Sequence, residues 1–80
     1  MKYYYIRDLS LFAKGDGLSR NYILINGEWV IDNDNIVSDR LMGYDPSEDD
    51  DSPYKIGNTD IMDEIEEISE EELIKRTQNT

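Results

Sequence analysis

Apolar and polar positions are most clearly patterned between Tyr22 and Ile31. Tyr22-Ile23-Leu24-Ile25 and Glu28-Trp29-Val30-Ile31 flank Asn26-Gly27. Asn-Gly between two apolar runs is the preferred type I′ turn, because both residues accept positive φ and the turn's twist matches that of the strands. A two-residue loop sets the register: Ile25 faces Glu28, Leu24 faces Trp29, Ile23 faces Val30 and Tyr22 faces Ile31. Tyr22, Leu24, Trp29 and Ile31 then share one face, which is expected to be the core. The reverse face carries Ile23, Ile25 and Val30 beside Glu28 and Asp32, unusually apolar for a solvated side. It calls for a cover by the first strand's neighbourhood, by the C-terminal segment or by a partner.

Lys2 to Asp8 is rich in β-favouring residues and reads as a strand, with Tyr4 and Ile6 on one face and Tyr3 and Tyr5 on the other. Leu9 to Ala13 extends it or forms a second short strand, and Lys14-Gly15-Asp16-Gly17 is turn chemistry. Ile36, Val37, Arg40 and Leu41 recur at helical spacing. They predict a helix over 34–42, capped from within Asp32-Asn33-Asp34-Asn35 and ended by Gly43. Tyr44 to Pro53, with its prolines, serines and acids, is a loop.

Further on, Ile61, Met62, Ile65 and Ile68 form a helical stripe, with Asn58 or Thr59 as cap. Leu73 and Ile74 fall off that stripe, so 59–77 is not one straight helix. Ser69 with Glu72 matches the capping box and Ile68 with Leu73 the hydrophobic staple. A break at Ser69 and a new helix over 70–77 follow. The 60–68 segment is expected to be a helical turn or two, with a strand as the alternative. The fold expected is α+β: a small antiparallel sheet built on an N-terminal strand and the Asn26-Gly27 hairpin, a short middle helix, and an acidic C-terminal helical segment. It reads as one small domain over 1–80, with a near-neutral core over 1–44, an acidic loop over 45–58 and the acidic segment over 59–80.

Charge changes this picture. The 80 residues hold 19 acids and 8 bases, a net of −11. From Asp45 to Glu72 there are thirteen acids and one base, Lys55, whereas residues 1–44 hold six acids and five bases. A near-neutral half is joined to a polyanion. Direct binding to nucleic acid or to an anionic membrane is disfavoured by repulsion, and a basic partner is favoured. No run approaches the roughly 18 apolar residues of a membrane span. The first eight residues lack a signal peptide's apolar stretch and there is no cysteine, which fits a cytoplasmic setting. The chain also lacks histidine, the commonest general base and metal ligand.

Several site chemistries fail on spacing. Asp32-Asn33-Asp34-Asn35 opens like a calcium loop, but Ile36, Val37 and Gly43 stand where further ligands and the loop glycine belong. Asp45 and Glu48-Asp49-Asp50-Asp51 attract divalent cations only weakly, since no spacing fixes a full oxygen shell. Gly15-Asp16-Gly17 lacks a phosphate-loop context. Paired carboxylates need a desolvating cleft to act as acid and base, and a domain this small offers little depth. No catalytic residue, cofactor or metal is therefore expected. The tyrosines with Trp29 suit sheet packing or a protein contact; stacking on single strands needs a basic groove that the chain lacks.

The acid run suggests a use. Eight acids fall within 60–72. On a helix those residues rise about 18 Å, roughly one charge per 2.3 Å, against about one per 1.7 Å of duplex DNA. Like charges so spaced cost a few tenths of a kcal/mol per i,i+3 or i,i+4 pair, far more than solubility requires. The function expected is that of a non-enzymatic inhibitor or regulator. It would occupy the basic surface of a nucleic-acid-binding protein by partial DNA mimicry. Small acidic phage and mobile-element proteins of the anti-CRISPR or anti-restriction type offer an analogy in size and charge. The residues expected to meet the partner are Asp60, Asp63, Glu64, Glu66, Glu67, Glu70 and Glu71, with Tyr3 and Tyr5. The alternative is a small accessory or assembly protein docking through its tyrosine-rich sheet.

Overall fold

The Asn26-Gly27 turn forms as its chemistry dictates, with φ of 52° and 81° at its two residues. A computed structural model describes residues 1–17 and 20–78. The turn joins β3 (Asn21–Ile25) to β4 (Glu28–Ile31) in the expected register, from Ile25 opposite Glu28 to Tyr22 opposite Ile31. β1 (Lys2–Ile6) and β2 (Leu11–Gly15) form a second hairpin across the turn at 7–10. Leu11 to Ala13 thus open a separate strand, and Lys14 and Gly15 complete it rather than forming a turn. They pair with Tyr22 and Asn21 of β3. A fifth strand, β5 (Ile65–Ile68), adds to the free edge of β1. The antiparallel sheet has the order β4-β3-β2-β1-β5. With the helices below, it makes the fold α+β.

Alternation splits the sheet into two faces. Tyr4, Ile6, Ala13, Ile23 and Ile65 are buried on one, under Val37 of the helix α1 (Ile36–Met42), with Leu11, Ile36 and Leu41 packed around them. This reverses the expectation for the hairpin: Ile23, not Leu24 and Trp29, points into the core, and Ile31 is 52% exposed. The unusually apolar reverse side is the core side. Ala13, with no exposed surface, belongs to the same buried cluster as Val37.

α1 starts two residues later than the spacing suggested. Asn35 adopts left-handed φ and its side chain caps nothing. The cap is the Asp32 carboxylate, which accepts the N–H groups of Ile36 (3.0 Å) and Val37 (2.9 Å). Gly43 ends the helix at φ 67°, as predicted. A Cβ there would sit 2.5 Å from the Asn58 nitrogen. Only glycine lets the returning chain pass this close, where the Asn58 N–H bonds the Gly43 carbonyl at 3.0 Å.

The C-terminal third divides. α2 (Thr59–Met62) is a single turn capped by the Asn58 side chain, in line with the helical expectation. Residues 65–68 take the strand alternative instead. α3 (Glu70–Gln78) starts after Ser69, whose hydroxyl accepts the Glu72 N–H at 3.1 Å. That is half of the capping box. The Glu72 carboxylate turns away to Arg76 Nε at 2.8 Å.

Candidate functional site

Strand geometry at 65–68 breaks the expected ladder of acids. In the register with β1, Glu67 lies opposite Tyr4 on the core-side face and Glu66 opposite Tyr5 on the other. Each meets a base. Lys2 Nζ stands 3.6 Å from Glu67. Glu66 accepts hydrogen bonds from Arg7 and, at 3.4 Å, from Arg76. Arg7 also donates to the Asp63 carbonyl, which ties the end of α2 to β1. Arg76 is held by Glu72 and Glu66 and stacks 5.1 Å over the Tyr5 ring. Its hydrogen bond with Glu72 raises its pKa against the opposing effect of burial, with Glu66 adding to the rise. Tyr5 in turn meets Phe12 at 5.1 Å. Tyr5 and Glu66 thus clasp α3 to the sheet. Tyr3, opposite Ile68, is half-buried on the same face.

The other expected contact residues lie elsewhere. Asp60 is in the first turn of α2, Asp63 closes that helix, and Glu70 and Glu71 open α3; all four are exposed. Among the described residues none of Asp60, Asp63, Glu64, Glu70 and Glu71 makes an ion pair. Acids in the first turn also sit favourably against the macrodipole of α3.

Glu64 lines a cleft of about 230 Å³ with Asp8, Asp39, Arg40, Tyr44 and Ile61. Arg40 grips Asp8 in a fork, Nε to Oδ1 at 3.0 Å and Nη2 to Oδ2 at 2.6 Å, and donates to the Ile36 carbonyl at 3.2 Å. The Arg40 hydrogen bond holds the Asp8 carboxyl below its ordinary pKa, against its partial burial. Burial pushes Asp39 the other way, Arg40 opposing and Asp32 reinforcing the rise. Three carboxylates thus share one guanidinium. Neither Asp8 nor Asp39 belongs to the acid run, and no local spacing announces their role, because Asp8 and Arg40 are 32 residues apart.

In the acidic loop, Lys55 reaches Asp50 at 3.2 Å, the Glu48 carbonyl at 2.9 Å and the Tyr44 ring at 5.1 Å. Asp45 accepts from the amide and hydroxyl of Ser47, which lower its pKa. The Asp32-to-Asn35 segment serves as turn and helix cap. Among the described residues no group of three or more acidic, histidine or cysteine side chains converges to hold a metal ion.

On the far side of the sheet from α1, Lys14 lies 4.4 Å from the Trp29 ring and 5.8 Å from the Tyr22 ring. This aromatic patch, together with Leu24 and Ile31, is the hairpin face that alternation alone assigns to the core. No family model matches the chain, and no curated protein or solved structure matches it either. No helix among the described residues is long and apolar enough to cross a membrane.

Proposed function

We propose that this protein is a non-enzymatic acidic binding protein that occupies the basic surface of a nucleic-acid-binding protein. It acts as an inhibitor or regulator of the anti-CRISPR or anti-restriction type in a cytoplasmic setting. One observation carries the reading: among the described residues five of the eight bases pair with acids of the chain, while most of the acids pair with no base. Lys2, Arg7, Arg40, Lys55 and Arg76 all pair with acids of the same chain. They leave Asp60, Asp63, Glu70 and Glu71 to face solvent, while Glu64 shares the cleft with Arg40. The mimicry is of charge excess and not of phosphate spacing, because Glu66 and Glu67 diverge and are neutralised. Discrete acid clusters at α2, at the start of α3 and in the 45–51 loop offer a basic groove the counterion release it gains from phosphates.

The test is capture of a partner from host lysate on the immobilised protein. A captured nucleic-acid-binding protein that is displaced by duplex DNA and by about 0.5 M salt supports the reading. A partner that resists both, or one without nucleic-acid affinity, contradicts it. The second reading, docking through the tyrosine-rich sheet, is favoured by the half-exposed Tyr22, Leu24 and Trp29 beyond the reach of the Arg76 clasp. Replacing Trp29 with alanine separates the two: it leaves capture intact under the first and abolishes it under the second.

A further inference from the structure

The outer edge of the sheet has its own chemistry. Asp32 N–H bonds the Asn21 carbonyl at 2.9 Å. Bonded and non-bonded pairs alternate along an antiparallel ladder, so Val30 and Glu28 also turn their main-chain groups to β3, and Trp29 and Ile31 turn theirs outward. β4 is an edge strand without the lysine, proline or bulge that ordinarily blocks such a template. Beside it on the α1 side runs an apolar groove of about 250 Å³ lined by Leu11, Ile25, Val30 and Ile36, with Asp32 and Asp34 at its end. Ile25 and Val30 are 44% and 43% exposed there. Among the described residues no lysine or arginine lines this groove.

We infer that the β4 edge accepts an extended segment of the basic partner as a sixth strand. This inference rests on the proposed function for the partner's charge. Trp29 and Ile31 supply the main-chain bonds. On the α1-side face of the incoming strand an apolar side chain enters the groove beside Val30, and lysines or arginines two residues to either side, on that same face, meet Glu28 at one end and Asp32 and Asp34 at the other. Charge selects the occupant. A second copy would bring Glu28, Asp32 and Asp34 against their own images on a molecule of net charge −11, whereas a cationic strand complements them.

The probes are short capped peptides with lysine, valine and lysine at every second position, so that the three share one face, and threonine between them; the same peptide N-methylated on the amides that would bond β4; and a version with glutamate in place of lysine. The lysine peptide is expected to bind and to slow hydrogen exchange at the Trp29 and Ile31 amides. N-methylation should weaken it about tenfold or more, since it removes main-chain donors, and the glutamate version should not bind. Ile31→Pro removes an outward N–H and should abolish the peptide-induced protection at the remaining outward amide, that of Trp29. Three results would overturn the inference: equal binding of the methylated and unmethylated cations, no binding by either, or protection at Trp29 and Ile31 that grows with protein concentration alone. Equal binding leaves the proposed function standing, because the acids then hold cations without the edge. Strand addition by the peptide, alongside a natural partner that salt and DNA fail to displace, would sink the proposed function and keep the edge.

Discussion

Ile6 and Val37 have no exposed surface, and they are where the two layers of the molecule meet. A chain of this length buries only about 60–65% of its unfolded surface, so each buried methylene matters. Ile6→Val is expected to cost about 0.5–1.5 kcal/mol and Ile6→Ala about 2–5 kcal/mol, read from the urea midpoint. The second value is enough to unfold much of the population. Asp8 and Asp39 give opposite pH signatures. The Asp8 carboxyl is held low, so its contribution is complete above the ordinary carboxylate range near pH ~4 and is lost as pH falls through its depressed value. Asp39 is held high by burial, so its charge costs stability once pH rises through its raised value, and acid relieves that cost. Solvent reaches Asp8, so at neutral pH Asp8→Asn should cost about 0.5–1 kcal/mol. Asp39→Asn should be neutral or stabilising. Melting curves of both variants should converge on that of the parent protein in strong acid.

Ser69 shows how much a single cap arranges. It ends β5 and starts α3, and its hydroxyl satisfies the Glu72 N–H. Ser69→Ala should cost about 1 kcal/mol and loosen α3, seen as faster amide exchange in its first turn. This break was legible in the sequence because capping is local chemistry, and so were the hairpin register, the Gly43 stop and the faces of β1. Two features were not. Both faces of the 22–31 hairpin are apolar, and alternation pointed to the wrong one: the face of Tyr22, Leu24, Trp29 and Ile31 was expected to be the core, whereas Ile23 is buried with Ala13 and Val37. Ile65-Glu66-Glu67-Ile68 reads first as a helical turn, with a strand only as the alternative. It becomes a strand because β1 has a free edge and because Arg7, Arg76 and Lys2 wait on the correct faces. Those partners lie far from it in sequence, Arg7 and Lys2 furthest, which is why the expected charge ladder looked continuous and is not.

For the molecule as a whole, a net charge of −11 on 80 residues is a repulsive load that the internal ion pairs only partly relieve. Exposed pairs are worth about 0–1 kcal/mol each and are screened by salt along with the repulsion. Because acids outnumber bases so heavily, repulsion outweighs the pairing. Melting temperature should therefore rise between about 0.01 and 0.5 M sodium chloride. A flat or falling curve would mean that the acids are already neutralised on the folded surface. In the proposed function the same excess is what would steer the molecule toward a cationic groove. The acids that carry this role in the proposal are those the fold leaves without a base. Asp60, Glu70 and Glu71 are the ones to reverse, since they are exposed and make no ion pair among the described residues. The decisive measurement is partner capture by the Asp60→Lys, Glu70→Lys, Glu71→Lys triple variant, compared with the parent protein at low salt. Loss of capture with an unchanged fold is expected; undiminished capture would show that these carboxylates do not hold the partner.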